Sequence, residues 1–360
     1  MVILHIACLN NDLASGVDLV VPLHIIKQSD FANTALINVA GVKIESIKNQ
    51  FLYKPNLELS DLPSPFNHPD IVVFHETYRF QYLKLYRQLL NGKIPYIIVP
   101  HGELNSSAQR KGWLKKKIAN LFFFKGFINS ALAIQTLSLK EKETTKFRPL
   151  KFVSTNGVLI PSCEKQSFNT NKIIFSYIGR LSIYNKGLDL LLEAIYLKKA
   201  FLKSNHCEFH LYGPPSTNNT IKRIVRMIKK YKVEDIVFLH NAVYGEEKYK
   251  VLQLSDVFIQ TSRSEGMPTG LLEALAFGMP CLITVGTSLG ELVSNNDCGW
   301  VANIDVKSIS SLLETAVNDK AKFLAKSKNS KQLIANNFDW ETIAYDTINA
   351  YKNLISKKQR

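Results

Sequence analysis

Residues 257–284 read VFIQTSRSEGMPTGLLEALAFGMPCLIT, in which three apolar runs are separated by a polar loop and a tight turn. The first run, Val257–Gln260, and the last, Cys281–Thr284, are short and predict buried strands. The middle run, Leu271–Phe277, is apolar around nearly its whole circumference and predicts a buried helix. A strand, a helix and a second strand in this order predict parallel pairing with a right-handed crossover.

The same alternation continues along the chain in two series. The other predicted strands are Val2–Ala7, Ile71–Phe74, Tyr96–Val99, Ala131–Gln135 and Phe152–Ser154 in the first series, and Ile173–Ile178, Glu208–Tyr212 and Val237–Leu239 in the second. The other predicted helices include Leu188–Lys199, Ile221–Lys230 and Glu246–Leu254. We therefore expect an α/β protein with two doubly wound, Rossmann-like domains facing across a cleft, with ligands at the carboxyl ends of the strands.

The chain of 360 residues is longer than a typical single domain with one hydrophobic core. Because the stretch 161–171 is polar and aperiodic, we expect an N-terminal domain over residues 1–160 and a C-terminal domain over 161–340. A final helix over 341–360 is expected to pack back toward the N-terminal domain. The five scattered cysteines form no C-x-x-C pair and indicate neither a disulfide framework nor a zinc site. With no signal peptide and no spanning helix in the pattern, the expected location is cytoplasmic.

Two glutamates of the opening stretch predict a site that binds hydroxyl groups. Glu273 is the only charge in the predicted buried helix, where a carboxylate is costly unless a partner pairs with it. Glu265 lies in the loop before that helix, whose N-terminal N–H groups favour a polyhydroxyl or anionic ligand. A structural acid at Glu273 and a solvated loop acid at Glu265 are the alternative interpretations.

Two cations predict a diphosphate site. Arg180 comes directly after the predicted strand Ile173–Ile178, and Lys186 just precedes a predicted helix. Because a cation at a helix N-terminus opposes the macrodipole, the pair makes sense if both share an anion with the helix N–H groups. Arg binds phosphate oxygens with a fork of donors and Lys adds a point charge. Two solvated surface charges are the alternative.

Several familiar nucleotide motifs are absent from the sequence. No G-x-G-x-x-G follows the first strand, no G-x-x-x-x-G-K-[ST] occurs, and there is no D-x-D pair. These absences argue against a nicotinamide dehydrogenase and a P-loop enzyme. They also argue against a divalent-metal site with carboxylate ligands. We expect no cofactor and no metal, with Arg180 and Lys186 in the metal's place.

The segments Gly179–Leu181 and Lys186–Leu188, followed by Glu265–Glu273 with seven residues between the acids, resemble the paired signatures of the family 4 retaining glycosyltransferases, within the glycosyl transferases group 1. The resemblance extends over roughly residues 172–284 and implies the GT-B fold. It implies that Arg180 and Lys186 hold the diphosphate of a nucleotide sugar and act in catalysis.

The resemblance also implies roles for the two acids. Glu273 would accept hydrogen bonds from the ribose hydroxyls. Glu265 would hold the transferred sugar and act in catalysis, together with the backbone of Gly266, Met267, Pro268, Thr269 and Gly270. Retention without an evident nucleophile implies same-face substitution, in which the departing phosphate oxygen helps to deprotonate the acceptor hydroxyl.

The N-terminal half carries fewer signals. The run Pro100-His101-Gly102 ends a predicted strand and resembles a run in family members that build surface polysaccharides. The resemblance implies that His101 is catalytic and, neutral or charged, donates to a sugar hydroxyl or stabilises the developing oxocarbenium ion; a structural histidine is the alternative. Gly16 resembles the family's glycine-rich first loop, with one glycine where a pair is common. The residues expected to contact the acceptor are His75, Glu76, Glu103 and Arg110.

A strongly basic segment contributes much of the net charge of +15. Between Asn105 and Lys151 there are eleven Lys or Arg residues against two glutamates. Within residues 110–125, apolar side chains share one helical face beside lysines, which is typical of a helix on an anionic membrane surface. An amphipathic helix covering the N-terminal core is the alternative. Nucleic acid is not the expected partner, because base-stacking aromatics beyond Trp113 are missing from the basic run.

The function implied by the resemblance is transfer of a hexose from a nucleotide-diphosphate sugar to a lipid-linked glycan, in the biosynthesis of lipopolysaccharide, capsule or exopolysaccharide. Three alternatives stay open at this point. They are a nucleotide-sugar epimerase of the same fold, a catalytically inactive partner subunit, and a nucleic-acid-binding protein that uses the basic segment.

Overall fold

The computed structural model describes residues 1–13, 15–110, 113–169 and 171–359, without the side chains of Ser107 and Gln359. The chain divides into two compact units, Met1–Gly157 with Trp340–Arg360 (the N-terminal unit) and Val158–Asp339 (the C-terminal unit). No helix among the described residues is long and apolar enough to cross a membrane.

The N-terminal unit is built on a parallel sheet. Its strands are β1 (Val2–Ala7), β2 (Asn33–Asn38), β3 (Gln50–Leu52), β4 (Ile71–His75), β5 (Tyr96–Val99), β6 (Ala133–Thr136) and β7 (Leu150–Val153). Its helices are α1 (Gly16–Gln28), α2 (Phe80–Asn91), α3 (Ser106–Arg110), α4 (Trp113–Ala119), α5 (Lys125–Asn129) and α6 (Leu139–Thr144), with a π-helical turn at Asn120–Phe124 and a 3-10 turn at Leu59–Asp61. Among the described residues the strand order is β3-β2-β1-β4-β5-β6-β7, so the order in which strands are added to the sheet reverses between β1 and β4.

Both faces of this sheet are covered, because successive strand residues point to opposite sides and both sets are buried. Leu4 and Ile6 of β1 pack in one core with Leu85 of α2. Ala7 packs on the other face with Val21 of α1. The sheet therefore has helices on both sides, as a doubly wound fold requires.

The C-terminal unit repeats the plan. Its strands are β8 (Ile173–Ile178), β9 (Cys207–Tyr212), β10 (Val237–His240), β11 (Val257–Gln260), β12 (Cys281–Thr284) and β13 (Gly299–Ala302). Its helices are α7 (Leu188–Leu197), α8 (Lys199–Ser204), α9 (Thr220–Tyr231), α10 (Gly245–Leu254), α11 (Thr269–Phe277), α12 (Gly290–Asn295), α13 (Val306–Asn318) and α14 (Phe323–Asn337). Among the described residues the order is β10-β9-β8-β11-β12-β13, with all pairs parallel, so the reversal lies between β8 and β11.

The last helix, α15 (Trp340–Gln359), belongs to the N-terminal unit. The Trp340 ring meets His24 edge-on, with ring centroids 4.8 Å apart. The hydroxyl of Tyr351 donates to Oε1 of Gln135 on β6 at 2.6 Å. These contacts fix the helix against α1 and the sheet.

The predicted α/β architecture with two parallel, doubly wound sheets is confirmed, but the prediction missed β2, β3 and β13. In β2 the apolar run is only three residues long, and Asn38 completes the strand by bonding its side chain to the N–H and C=O of Leu9 at 2.9 Å each. In β13 the first residue is Gly299, where a Cβ would lie 1.9 Å from the Cys281 carbonyl oxygen. A glycine that looks like a strand breaker is thus required by the close approach of β12.

Candidate functional site

The loops after β8 and β11 lie side by side at the carboxyl end of the C-terminal sheet. Arg263, in the loop after β11, forms a two-pronged ion pair with Asp189 of α7, with both N–O distances 2.7 Å. The hydroxyl of Thr261 donates to the backbone oxygen of Gly187 at 3.0 Å. Gly187 has φ +64°, and a Cβ there would lie 2.0 Å from the backbone carbonyl oxygen of Thr261, so only glycine fits. The two loops are therefore held as one rigid edge.

Two of the predicted site residues meet on this edge. Nζ of Lys186 lies 2.5 Å from Oε1 of Glu265, and the two side chains are 21% and 16% exposed. The same carboxylate oxygen accepts from the hydroxyl of Ser262 at 2.7 Å and from the amide of Gln260 at 3.3 Å. One oxygen of the Glu265 carboxylate is thus fixed by three donors.

Helix α11 starts beside this pair. Pro268 is its N-cap residue, and no side chain caps its first turn. A Cβ at Gly270 would lie 2.9 Å from the Ile178 oxygen, so the glycine lets the first turn approach the end of β8. An uncapped helix N-terminus next to a lysine is suited to an anionic ligand. Arg180, directly after β8, is exposed at the same end of the sheet.

Glu273 lies one turn into α11, and its side chain is 26% exposed. It pairs with Lys248 of α10, with an N–O distance of 2.7 Å. The other residues from Leu271 to Phe277 are buried, as the apolar pattern predicts. The partner that a carboxylate in this helix needs is therefore Lys248, a residue that the sequence analysis did not single out.

Three histidines form a chain that leads from inside β1 to the carboxyl edge of the N-terminal sheet. Nδ1 of His5 lies 3.0 Å from Nε2 of His75, and Nδ1 of His75 lies 3.1 Å from Nε2 of His101. We call these three residues the imidazole chain. Burial lowers the pKa of His101 and of His5 to about 3, and lowers the pKa of His75 well below 6.5. All three rings are therefore neutral at pH 7, which leaves His101 no positive charge of its own.

The backbone at this edge is strained. Glu76, directly after β4, has φ +67°, and His101, separated from β5 by Pro100, has φ +48°. Left-handed conformations of non-glycine residues cost free energy and concentrate at functional sites. The turn after His101 is held by Glu141, which accepts from the N–H of Gly102 and of Leu137 at 2.7 Å each. Glu141 is not among the residues predicted from the sequence, although Ser138 and Glu141 have the spacing of a capping box.

The residues predicted to contact an acceptor are partly brought together. Glu76 pairs with Arg79 at 2.6 Å. Glu103 accepts from the N–H of Thr77 at 2.6 Å, and burial raises the pKa of both acids. His75 lies beside them but is fully committed within the imidazole chain. Arg110 ends α3 and is exposed.

Gly16 begins α1, and its surroundings are already occupied by an acid. Ser15 caps the helix by accepting from the N–H of Asp18 at 3.4 Å. The Asp18 carboxylate in turn accepts from the backbone N–H groups of Asn10 at 2.5 Å and Asp12 at 3.2 Å. A carboxylate that takes up these donors does not favour a phosphate at this helix end. Ala14, which belongs to the same predicted loop, lies outside the described residues.

The basic segment presents apolar side chains to solvent. Helix α4 contains no buried residue, Trp113 is 60% exposed and Phe122 is 70% exposed. Leu114, Ile118, Leu121 and Phe123 are also exposed. Lys117 lies 5.9 Å from the centre of the Trp113 ring. Lys111, part of the predicted interfacial helix, lies outside the described residues.

The model of the family described as Glycosyl transferases group 1 matches residues 162–339. A putative colanic acid biosynthesis glycosyltransferase, WcaL of Salmonella typhimurium, is 30% identical over 122 residues, which are 32% of this chain and 29% of that protein. The capsular polysaccharide biosynthesis glycosyltransferase CapM of Staphylococcus aureus is 20% identical over 64% of this chain and 62% of its own length. The chain thus spans less than two thirds of either relative.

Two solved structures share the fold over nearly the whole chain. Sucrose-phosphate synthase from Thermosynechococcus elongatus has a TM-score of 0.75 at 14% identity, covering 99% of this chain and 100% of the other. Anabaena HepE in complex with UDP has a TM-score of 0.74 at 17% identity, covering 98% and 100%. At these identities the likeness concerns the fold alone. The resemblance is confirmed as far as the glycosyl transferases group 1, and the segment that this family model matches contains both motifs.

Proposed function

We propose that this chain, whose residues 162–339 match the model of the glycosyl transferases group 1 family, transfers a hexose from a nucleotide-diphosphate sugar to a glycan, with retention at the anomeric carbon. The observation that carries the proposal is the contact between Lys186 and Glu265 beside the uncapped N-terminus of α11. It brings a cation, an acid and the backbone N–H groups of a helix N-terminus together at the carboxyl end of the C-terminal sheet. A diphosphate sugar needs this combination, because one end is anionic and the other carries hydroxyl groups.

In the proposed donor complex, the diphosphate lies between α11 and the loop after β8. Lys186 and Arg180 bind its oxygens, and the helix N-terminus adds favourable dipole charge. Glu265 turns toward the hydroxyls of the sugar, and Glu273 accepts from the ribose hydroxyls. Two cations and a helix dipole offset the charge of the diphosphate, so we propose that no metal is needed.

The proposed reaction is a same-face substitution. The bond between the sugar's anomeric carbon and the phosphate oxygen breaks, and its electron pair stays on the phosphate. That oxygen accepts the proton of the acceptor hydroxyl as the new glycosidic bond forms on the same face. The protein contributes orientation and charge stabilisation, since Lys186 and Arg180 bind the charge that develops on the leaving phosphate. Neither Glu265 nor Glu273 acts as the general base.

Two similar proteins support the proposed classes of donor and acceptor. Anabaena HepE was solved with UDP and with UDP-glucose. An Escherichia coli protein, 34% identical over 90 residues that are 23% of its length, is a UDP-galactose transferase acting on a GlcNAc-diphosphoundecaprenol. We propose accordingly that the acceptor is a lipid-linked glycan of surface-polysaccharide biosynthesis, bound by the N-terminal unit near Glu76 and Glu103.

We also propose that one part of the basic segment, from residue 113 to residue 125, docks on an anionic membrane from the cytoplasmic side. Its exposed Trp113 and Phe122 supply apolar area, and Lys115, Lys116 and Lys117 supply positive charge. Co-sedimentation with phosphatidylcholine vesicles, with and without phosphatidylglycerol, tests this. Wild type should bind the anionic vesicles alone, and Phe122→Asp should bind roughly tenfold or more weakly. Leu324→Asp, an exposed apolar position in the C-terminal unit, is the control. Equal binding of both vesicle types would contradict the proposal.

A panel of nucleotide sugars tests the function. Thermal shift identifies the donor, since a ligand at 100 times its Kd adds about 2.7 kcal/mol of stability. Incubation of that donor with glycan acceptors should then yield a product with the anomeric configuration of the donor. Inverted product would overturn retention. Conversion of the donor into another nucleotide sugar would instead indicate an epimerase.

A further inference from the structure

The loop after β12, residues 285–288, holds the main chain of Glu265 at both of its polar groups. We call this segment the β12 loop. The N–H of Glu265 donates to the backbone oxygen of Gly286 at 2.8 Å. The hydroxyl of Ser288 donates to the backbone oxygen of Glu265 at 2.6 Å. The donor and the acceptor of one residue's main chain are therefore both bonded to the same short loop.

The β12 loop also packs against the backbone that precedes Glu265. A Cβ on Gly286 would lie 2.1 Å from the backbone oxygen of Ser262, so this close approach requires glycine. The hydroxyl of Thr284, the last residue of β12, donates to the same oxygen at 2.6 Å. Ser262, which is fully buried, donates from its own hydroxyl to the Glu265 carboxylate at 2.7 Å. The end of β12 and its loop thus support Glu265 through its main chain and, by way of Ser262, through its side chain.

Ser288 adopts a backbone conformation that serine rarely takes. Its φ is +64° and its ψ is −2°, in the left-handed region. A residue with a Cβ is strained there, whereas glycine is not, and such strain concentrates at functional sites. The hydroxyl that reaches Glu265 is the feature that serine has and glycine lacks. The strained position therefore carries a side chain that makes a contact with a residue of the donor site.

Glu265 needs this support because it lies in irregular backbone. Residues 261–268 form neither helix nor strand, so no regular ladder of main-chain hydrogen bonds holds them. The side-chain contact with Lys186, at 2.5 Å, is the one that a bound diphosphate would compete for. The two bonds to the β12 loop involve the main chain of Glu265, so they can persist after Lys186 has moved to the phosphate. They can then keep the carboxylate directed at the sugar.

We propose that Ser288, together with the backbone of Gly286, positions Glu265 to accept hydrogen bonds from the hydroxyls of the transferred sugar. Ser288 is a positioning residue, because it acts through Glu265. The inference rests on the proposed function, which assigns the sugar to Glu265. It adds to the donor site a loop that lies outside both sequence motifs.

Two substitutions of Ser288 separate positioning from stability. Ser288→Ala keeps the strained conformation and Ser288→Gly relieves it, while both remove the hydroxyl. In the transfer assay we expect kcat of both variants to fall about tenfold with little change in KM for the donor, since one directed hydrogen bond is lost. Calorimetry should show wild-type affinity for the free nucleoside diphosphate in both. A merely structural role would spare Ser288→Gly, so wild-type kcat in that variant would overturn the proposal.

His206 provides the matched control. It has φ +51° in the exposed turn before β9, at the other end of the same sheet, so His206→Gly relieves similar strain far from Glu265. That variant should keep wild-type kcat, and an equal loss there would also overturn the role of Ser288. In the ligand-free protein, amide exchange of Glu265 should be faster in Ser288→Gly than in wild type or His206→Gly, and equal exchange would contradict the support by the β12 loop. Absence of transfer by wild type would instead overturn the proposed function, and this inference with it.

Discussion

Nζ of Lys186 lies 2.5 Å from Oε1 of Glu265, although 79 residues separate them in the chain. The contact forms because β8 and β11 are neighbours in the sheet and the loop after each strand ends at the same edge. Each residue holds the other in place before a ligand arrives. A diphosphate competes for the lysine, and the carboxylate that it releases can turn to the sugar. This exchange is the centre of the proposed donor site.

The first prediction separates the two partners of this pair. In Glu265→Gln, the loss of charge frees Lys186 for phosphate, so affinity for the free nucleoside diphosphate should stay equal or increase. Transfer should fall by about 10²–10³, the loss seen when one preorganised polar contact to a reacting centre is removed. Calorimetry measures the affinity for the nucleoside diphosphate, and the transfer assay measures the rate. Glu291→Gln, an exposed acid on α12, is the control, and a loss of nucleotide affinity in Glu265→Gln alone would contradict the assignment.

The second prediction concerns the ribose contact. Glu273→Ala should weaken binding of the free nucleoside diphosphate by about 10–100-fold, since it removes charged hydrogen bonds to two hydroxyls. It also leaves Lys248 without its 2.7 Å partner. Glu234→Ala, an exposed acid in the same unit, should bind like wild type. Calorimetric titration is the measurement, and unchanged affinity in Glu273→Ala would remove the ribose role.

Much of this site follows from the sequence, for a physical reason. Apolar runs of different length set the strands and the buried helix, and parallel strands bring their carboxyl ends together. This places Arg180, Lys186, Glu265 and Glu273 in one unit without knowledge of any contact. It does not give Lys248, because the contact between α10 and α11 depends on how two helices pack on the sheet.

The imidazole chain was equally hidden from the sequence. His75 and His101 attract notice because they lie at or just beyond the ends of strands, but His5 lies inside an apolar strand. Their contacts span 70 and 26 residues. Only the strand order β1-β4-β5 makes the three rings neighbours.

The third prediction isolates a steric requirement. Gly187 and Gly245 both have positive φ, but a Cβ at Gly187 would lie 2.0 Å from the Thr261 oxygen, whereas a Cβ at Gly245 would meet nothing within 4 Å. Both alanine variants carry the backbone strain, and only Gly187→Ala adds overpacking. It should destabilise the C-terminal unit by about 1–3 kcal/mol more than Gly245→Ala. Hydrogen exchange of α7 and β11 measures the difference, and equal protection in the two variants would contradict it.

The fourth prediction is a loss of stability in mild acid. His5, His24 and His101 have pKa values lowered from 6.5 to about 3, 4 and 3, chiefly by burial. Below pH 6.5 these residues bind protons in the unfolded chain but not in the folded unit. The N-terminal unit should therefore lose stability as the pH falls from 6.5 to about 4, by on the order of 1 kcal/mol per pH unit for each histidine. Hydrogen exchange of β1, β4 and β5 at pH 7 and pH 5 is the measurement, and equal opening free energies would contradict it.

The most direct test of the donor site is a calorimetric titration with UDP and other nucleoside diphosphates in the presence of EDTA, on wild type and Lys186→Ala. Lys198→Ala, which breaks a Lys–Glu pair at the other end of α7, is the matched control. Wild type and Lys198→Ala should bind at least one of the nucleotides without metal, and Lys186→Ala should bind it roughly 10–150-fold more weakly, the loss of one charged hydrogen bond. Absence of binding to wild type in EDTA, or equal affinity in Lys186→Ala, would contradict a metal-free diphosphate site built on Lys186.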